Sequence, residues 1–234
     1  MPLKEALILA GGLGTRLRPI VPDIPKCMAP VSGRPFLQYL ISYFQFAGIK
    51  RFVFSLGYQH ELIEQFLHSS LAAHSFTSVI EVEPLGTGGA ILLAATKMKD
   101  ESVLVANGDT LFKIDISELS MFHKHNDADC TVCLKPMQSF DRYGAVILRK
   151  DFTIEKFEEK KYYDNGLISG GVYALQIPRF FHYSLPQKFS FEKDFLEANS
   201  GRRKFMGFVQ DKYFIDIGVP ADYFRAQAEL KEEI

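Results

Sequence analysis

Ile8-Leu9-Ala10-Gly11-Gly12-Leu13-Gly14-Thr15-Arg16-Leu17 is the stretch on which the reading of this chain turns. The apolar run from Ala6 to Ala10 reads as a buried strand. It stops at Gly11, Gly12 and Gly14, which allow a tight turn and bring backbone N–H groups close to an anion. Arg16 then supplies a planar fork of donors suited to phosphate oxygens. A strand that opens into such a turn is a place to hold a polyphosphate. An ordinary strand-to-loop turn is the plainer alternative. The stretch is not a P-loop, which needs Gly, four residues and then Gly-Lys-Ser/Thr. Nor is it the dinucleotide fingerprint, because Leu17 stands where a small residue is required. Pro19 and Pro22 also oppose an immediate helix.

Outward from this point, apolar runs alternate with helical patterns. Strands are expected at 6–10, 51–56, 78–82 and 102–106, and helices at 35–47, 61–68, 89–97 and 116–125. Pro35 suits a first helical turn and Gly48 a helix end. This βαβα rhythm implies a mostly parallel sheet covered on both faces. The second half is strand-rich, with strands expected at 130–136, 144–148, 153–157, 168–175, 204–208 and 213–215. Its short connections suggest added antiparallel strands. Short helices are expected at 178–183 and 191–199, and a closing helix at 221–230. In an open α/β sheet, ligands bind outside the carboxyl ends of the parallel strands. Gly11–Arg16, Glu83–Ala90 and Asn107-Gly108-Asp109 all fall there.

The chain has 234 residues, enough for one substantial core, and is read as one domain over 1–234. Its 27 basic residues nearly cancel 28 acidic ones, so nothing points to nucleic acid. No apolar run reaches the length of a membrane span, and the N-terminal residues lack a secretory pattern. Three cysteines do not make a disulfide framework. Cys130 and Cys133, on a strand, would point to opposite faces and read as core or edge thiols rather than a zinc site. His123 and His125 read as surface histidines. Together these features imply a reduced, cytoplasmic protein. The 21 phenylalanines could fill a core or cover the face of a homodimer.

Several motifs can carry chemistry. Asp109 ends the apolar strand Val103–Ala106 and is a candidate magnesium ligand, although Asn107-Gly108-Asp109 is also turn chemistry. Asp216 sits among apolar neighbours, where an unpaired charge is costly and a metal would offset it. A helix-start role ahead of Pro220 is its alternative. Lys26, in a proline-ordered loop, could set a point charge on phosphate or stand solvated. Pro84–Ala90 is a second glycine-rich turn that could read a base or simply start a helix with Thr87 as cap. The cluster Glu158–Lys161 could bind a sugar phosphate or be a solvated face. Ser169-Gly170-Gly171 fits a bulge or a close ligand approach.

Taken as a series, these motifs resemble the sugar-1-phosphate nucleotidyltransferases. The likeness rests on Leu9–Leu17 with Pro25-Lys26-x-Met28, then Pro84–Ala90, Asn107-Gly108-Asp109, Tyr143-Gly144, Phe157-x-Glu159-Lys160, Ser169-Gly170-Gly171 and Asp216-x-Gly218. The resemblance implies a Rossmann-like three-layer α/β/α nucleotidyltransferase fold, with a mostly parallel mixed sheet and added antiparallel strands. It places nucleotide binding in about 1–110 and sugar-phosphate binding in about 111–234. By resemblance, Leu9, Gly11, Gly12, Gly14, Thr15, Arg16, Glu83, Pro84 and Gly88 hold a nucleoside triphosphate. Asn107, Gly144, Glu159, Lys160 and Gly170 line the sugar 1-phosphate. Asp109 and Asp216 hold magnesium, and Arg16, Lys26 and Asp109 are the catalytic residues. Pro84–Ala90, Phe140–Gly144, Phe189-Ser190-Phe191-Glu192 and Tyr213–Pro220 look most like guanylyltransferases of heptose 1-phosphate, which favours GTP. Enzymes of mannose 1-phosphate, and uridylyltransferases of N-acetylmuramate 1-phosphate, are near neighbours. A catalytically silent regulatory relative is the alternative of another class. Cys27, Lys161 and Phe214 depart from residues common in the family (proline, proline and tryptophan).

Overall fold

The computed structural model describes residues 2–12, 14–201 and 204–231. Seven strands form the main sheet: β1 Glu5–Leu9, β2 Arg51–Leu56, β3 Phe76–Ile80, β4 Ser102–Asn107, β5 Cys130–Phe140, β6 Tyr163–Gln176 and β7 Phe205–Val209. Their order across the sheet is β7-β5-β6-β4-β1-β2-β3. The strands β4, β1, β2 and β3 run parallel, β6 is antiparallel to both of its neighbours, and β7 runs parallel to β5. This is the mostly parallel mixed α/β sheet that the alternating pattern implied.

The helices are α1 Phe36–Phe46, α2 His60–Ser70, α3 Gly86–Ala95, α4 Ile116–His125, α5 Ile177–Phe181 and α6 Pro220–Glu229, with a π-helical turn at Phe191–Glu197. They cover both faces because the central strands are apolar on both sides. Along β1, Ala6 and Ile8 join one core with Phe36, Leu40, Ile63, Leu119 and Ala226. Leu7 joins the other with Ile91, Ala94, Phe180, Phe191 and Phe195. Cys133 falls in the first core and Cys130 in the second, as alternation along a strand requires. Both thiols are buried, as is Cys27.

Three short ribbons complete the architecture. Pro30–Val31 pairs with Arg34–Pro35, Val146–Leu148 with Ile154–Phe157, and Thr110–Phe112 with Phe214–Asp216. The outer strand β7 is partly covered by the turn at 152–153. Gly207 N–H donates to the Phe152 carbonyl at 2.8 Å, and Thr153 bridges to Met206. No helix among the described residues is long and apolar enough to cross a membrane.

Three expectations are corrected. The third strand runs over Phe76–Ile80 rather than 78–82, because its register is set by Phe52 against Phe76, and Val82 stands fully in solvent. The third helix begins at Gly86, so the glycines lie inside it rather than before it. They are needed there because another segment presses on that turn: a Cβ on Gly88 would lie 2.1 Å from the Phe189 ring, and one on Gly89 2.2 Å from the Gln187 carbonyl oxygen. Finally, His123 is not a surface residue. It is 4% exposed, and its Nδ1 lies 2.8 Å from Thr131 Oγ1 on β5. Burial, with the Arg179 charge nearby, lowers its pKa to about 4.

Candidate active site

The carboxyl ends of the parallel strands are locked to one another by the backbone. Ala10 N–H donates to the Ser55 carbonyl at 2.8 Å, Gly108 N–H to the Leu9 carbonyl at 2.8 Å, and Glu81 N–H to the Leu56 carbonyl at 2.8 Å. The strands therefore end together and their loops share one rim. At Gly108 a Cβ would stand 2.8 Å from the Leu9 oxygen, so glycine lets the loops after β1 and β4 touch.

The loop after β1 bends at Gly14, whose φ of +61° is left-handed backbone that favours glycine. A side chain there would come within 2.9 Å of Lys26 Cβ. The two loops singled out from sequence are thus packed against each other. Leu17 is buried and anchors the turn, whereas Gly12, Thr15 and Arg16 are exposed and Leu9 is half-buried. Arg16 makes no ion pair among the described residues, so its guanidinium is free to meet a ligand at the mouth.

Lys26 begins a short 3₁₀ turn, Lys26–Met28, set between Pro25 and Ala29. The turn is pinned by the buried Cys27, whose thiol is pushed up to about 12 by burial and by the Asp109 charge. The lysine side chain is 12% exposed. Its ammonium donates to Asp109 Oδ2 and lies 3.8 Å from Asp216 Oδ1.

The two acids come from distant sequence positions and are brought side by side by a ribbon. Asp216 pairs with Thr110 across it, and Ile217 N–H donates to the Asp109 carbonyl at 3.0 Å. Gly218 N–H donates to Asp216 Oδ1 at 2.7 Å. Burial, reinforced by the Asp109 charge and opposed by Lys26, raises the Asp216 pKa above the usual carboxylate value. Tyr143 donates to Asp216 Oδ2 at 3.4 Å, and its phenol is pushed up to about 12 by burial and by that carboxylate. Arg142 backs the tyrosine, donating to its oxygen at 3.1 Å and pairing with Asp222 at 2.6 Å. Asp216 is therefore no helix cap: α6 starts after Val219 with no side-chain cap, and Asp222 is engaged by Arg142.

The residue set suits a divalent cation of the magnesium kind. Two carboxylates already converge on one cationic group, the Lys26 ammonium. No cluster of three or more His, Cys, Asp or Glu that could hold a metal forms among the described residues. Magnesium is commonly held by one or two carboxylates with phosphate and water filling the rest.

Across the mouth, β6 carries a register break between Ser169 and Tyr173. There Gly170 packs on the buried Phe112 ring, and Gly171, with φ of +66°, packs on the Asn107 side chain. The sequence left bulge and ligand approach open; the backbone forms the bulge, and it touches the residue two before Asp109. Gly144 lies against the Glu158 carbonyl, to which a Cβ would come within 2.4 Å. Of the acidic pair, Glu158 holds Lys156 at 2.8 Å and accepts from Tyr163 at 3.2 Å, whereas Glu159 and Lys160 are exposed.

On the other flank, Glu83 and Pro84 are exposed and Gly88 is buried under Phe189. The acid that shapes this turn is Glu81, which sequence reading passed over. It accepts from Ser55 Oγ at 3.0 Å and from Leu85 N–H at 3.2 Å. Thr87 is not a cap, because its hydroxyl donates to Glu192 at 2.8 Å and accepts from Phe191 N–H.

An α/β sheet with a glycine loop, a lysine and two acids at one rim defines a class, and the chain belongs to the nucleotidyl transferase family, whose model matches residues 5–233. It is 48% identical over 230 residues to D-glycero-α-D-manno-heptose 1-phosphate guanylyltransferase of Aneurinibacillus thermoaerophilus, covering 98% of this chain and 100% of that one. The enzyme of the same name from Campylobacter jejuni is 43% identical, with 94% and 97% covered. Among solved structures, HddC from Yersinia pseudotuberculosis complexed with GMP-PN superposes with a TM-score of 0.86 at 36% identity, covering 98% of this chain and 100% of that one.

Proposed function

We propose that this chain transfers a guanylyl group from GTP to D-glycero-α-D-manno-heptose 1-phosphate, releasing pyrophosphate. The observation that carries the reaction class is the placement of Lys26 between Asp109 and Asp216 at the mouth where the glycine loop ends. The choice of base and sugar is supported by the near full-length likeness to the two guanylyltransferases.

In this reading an oxygen of the sugar 1-phosphate attacks the α-phosphorus of GTP in line. One P–O bond forms, the bond to the β-phosphate bridging oxygen breaks, and pyrophosphate leaves with the electron pair. No general base is required, since a phosphate monoester with a second pKa of about 6 is largely dianionic at neutral pH. The obstacle is bringing two polyanions together, so positioning and electrostatics dominate. Lys26 and Arg16 offset phosphate charge, and the loops after β1 and β4 fix the approach. Magnesium, held by Asp109 and Asp216, would supply further charge neutralisation on phosphate oxygens. Tyr143 and the Gly218 N–H orient the Asp216 carboxylate.

Asp109→Ala should lower pyrophosphate release by about a hundred- to a thousandfold, a size expected when a preorganised electrostatic contact at the reacting centre is lost. Its circular dichroism and melting profile should stay near wild type, because Asp216 still faces Lys26. Near-normal turnover in that variant overturns the assignment. A matrix of four nucleoside triphosphates against heptose, mannose, glucose and N-acetylmuramate 1-phosphates, scored by pyrophosphate, tests the substrate pair.

A further inference from the structure

Glu192 lies outside the charged cluster, and the reaction just described gives it no part. It stands at the start of the π-helical turn Phe191–Glu197, an arrangement that is rare and concentrated at functional positions. Its two oxygens reach in two directions. Oε2 accepts from Thr87 at 2.8 Å and from Ser190 at 3.4 Å, and Oε1 accepts from Tyr173 at 3.1 Å. Among the described residues no lysine or arginine pairs with it. Three hydroxyls hold this half-buried carboxylate instead of a cation.

Ser190 caps the turn that carries Glu192, and the other two hydroxyls belong to different walls of the mouth. Thr87 is in the first turn of α3, in the glycine-rich stretch on the nucleotide flank. Tyr173 sits at the end of the β6 bulge, is 1% exposed, and lies 3.3 Å from Ser169 Oγ. That serine oxygen also accepts from Gly171 N–H at 3.4 Å, and Gly171 packs on Asn107 beside the Gly108-Asp109 turn. The Tyr173 ring meets Phe191 edge-on at 5.1 Å, so the π-helical turn itself rests on the tyrosine. A continuous chain of contacts therefore runs from the nucleotide flank, through one carboxylate, to the sugar flank.

We propose that Glu192 is a positioning residue that ties the first turn of α3 to the bulge of β6 and so sets the two substrate walls relative to each other. The inference rests on the transfer reaction proposed above. Removing the carboxylate leaves the Tyr173 hydroxyl buried without its acceptor, and frees Thr87 from the bulge. Both walls then lose their shared reference. Because the walls grip both reactants before and during transfer, the loss falls on binding more than on the chemical step.

The test is steady-state kinetics with GTP, D-glycero-α-D-manno-heptose 1-phosphate and magnesium, together with amide hydrogen exchange. Glu192→Ala should raise KM for both substrates about tenfold with kcat within about threefold, the pattern of lost uniform binding. Exchange should quicken at 86–91 and at 169–173 together. Glu192→Gln, whose amide can still bond both hydroxyls, should restore most of the loss. A rise in only one KM, a fall in kcat with both KM values unchanged, or faster exchange at only one segment overturns the proposal. If Glu192→Ala does not fold, Tyr173→Phe removes one hydroxyl with little change in packing, and should raise both KM values by a smaller factor. An unchanged pair of KM values there also overturns it. Absence of turnover in the wild-type chain would sink the transfer reading instead, while the paired exchange response still reports on the tether.

Discussion

At the scale of single residues, the charged cluster depends on what is missing at Gly218. A Cβ at that position would fall 2.6 Å from Asp216 Oδ1 and 2.7 Å from Lys26 Nζ. Both atoms end flexible side chains, so the protein can yield without losing its core. Gly218→Ala should therefore change the urea midpoint little, within the range of about 0.5 kcal/mol typical of mild substitutions. It should lower kcat on the order of a hundredfold, because misplacement by an ångström at a reacting centre has that effect. Paired urea titration and single-turnover kinetics check it, and an unfolded or fully active variant contradicts the account. The sequence displays Asp216-x-Gly218 plainly, but it does not reveal that the glycine makes room for a lysine from the other end of the chain. Arg16 and Lys26 were equally legible as cations, and only the three-dimensional contacts distinguish them. Lys26 is paired inside the mouth, while Arg16 stands in solvent.

At the scale of elements, α4 shows where a sequence pattern stops. Its bounds, Ile116–His125, agree with the expected ones, yet His123, which the sequence reading places on the surface, packs on β5. Periodicity locates a helix well; the side a polar residue takes depends on a partner, here Thr131. The lowered pKa has a definite sign for stability. Above pH 6.5 the imidazole is neutral in both folded and unfolded chains. As pH falls toward 4 the unfolded chain takes up a proton that the folded chain refuses, so stability from this group is lost across that window. Arg179 helps to keep the ring neutral, while Asp129 and Asp127 pull the other way. Chemical denaturation at pH 7 and 4.5 should show this component as roughly 2–3 kcal/mol, and His123→Phe should lack it. An equal pH slope in both proteins refutes the reading. The glycine-rich start of α3 teaches the same lesson. The stretch reads equally as a ligand turn or a helix start, and the structure uses all three of its glycines, Gly86, Gly88 and Gly89, to admit the 187–189 segment. That crowding comes from residues about a hundred positions away and leaves no local trace.

At the scale of the whole molecule, the four-strand parallel unit and its helices could be read from alternation alone, with boundaries near those observed. The long arms of β5 and β6 could not, since β6 runs over Tyr163–Gln176 and its start is polar and glycine-containing. Nothing local predicts that such a segment will pair; the pairing is set by β5 alongside it. Because the binding mouth is assembled from loops spread from residue 11 to residue 218, a bound nucleotide should stabilise the fold globally. With magnesium present, GTP at about a hundred times its Kd should add about 2.7 kcal/mol. That raises Tm on the order of 5–10 °C for a chain of this size. ATP at the same concentration should give a markedly smaller rise, and an equal rise would argue against a guanine preference.

The turn at 152–153 has an effect beyond its own neighbourhood. By occupying the hydrogen-bonding positions of Gly207 and Met206 on β7, it leaves that flank with few free rungs for a foreign strand to join. Side-by-side stacking of one copy on the next, a common route to fibrils and precipitation, is obstructed there. One of the two borders of the main sheet is thus partly shielded by the chain itself.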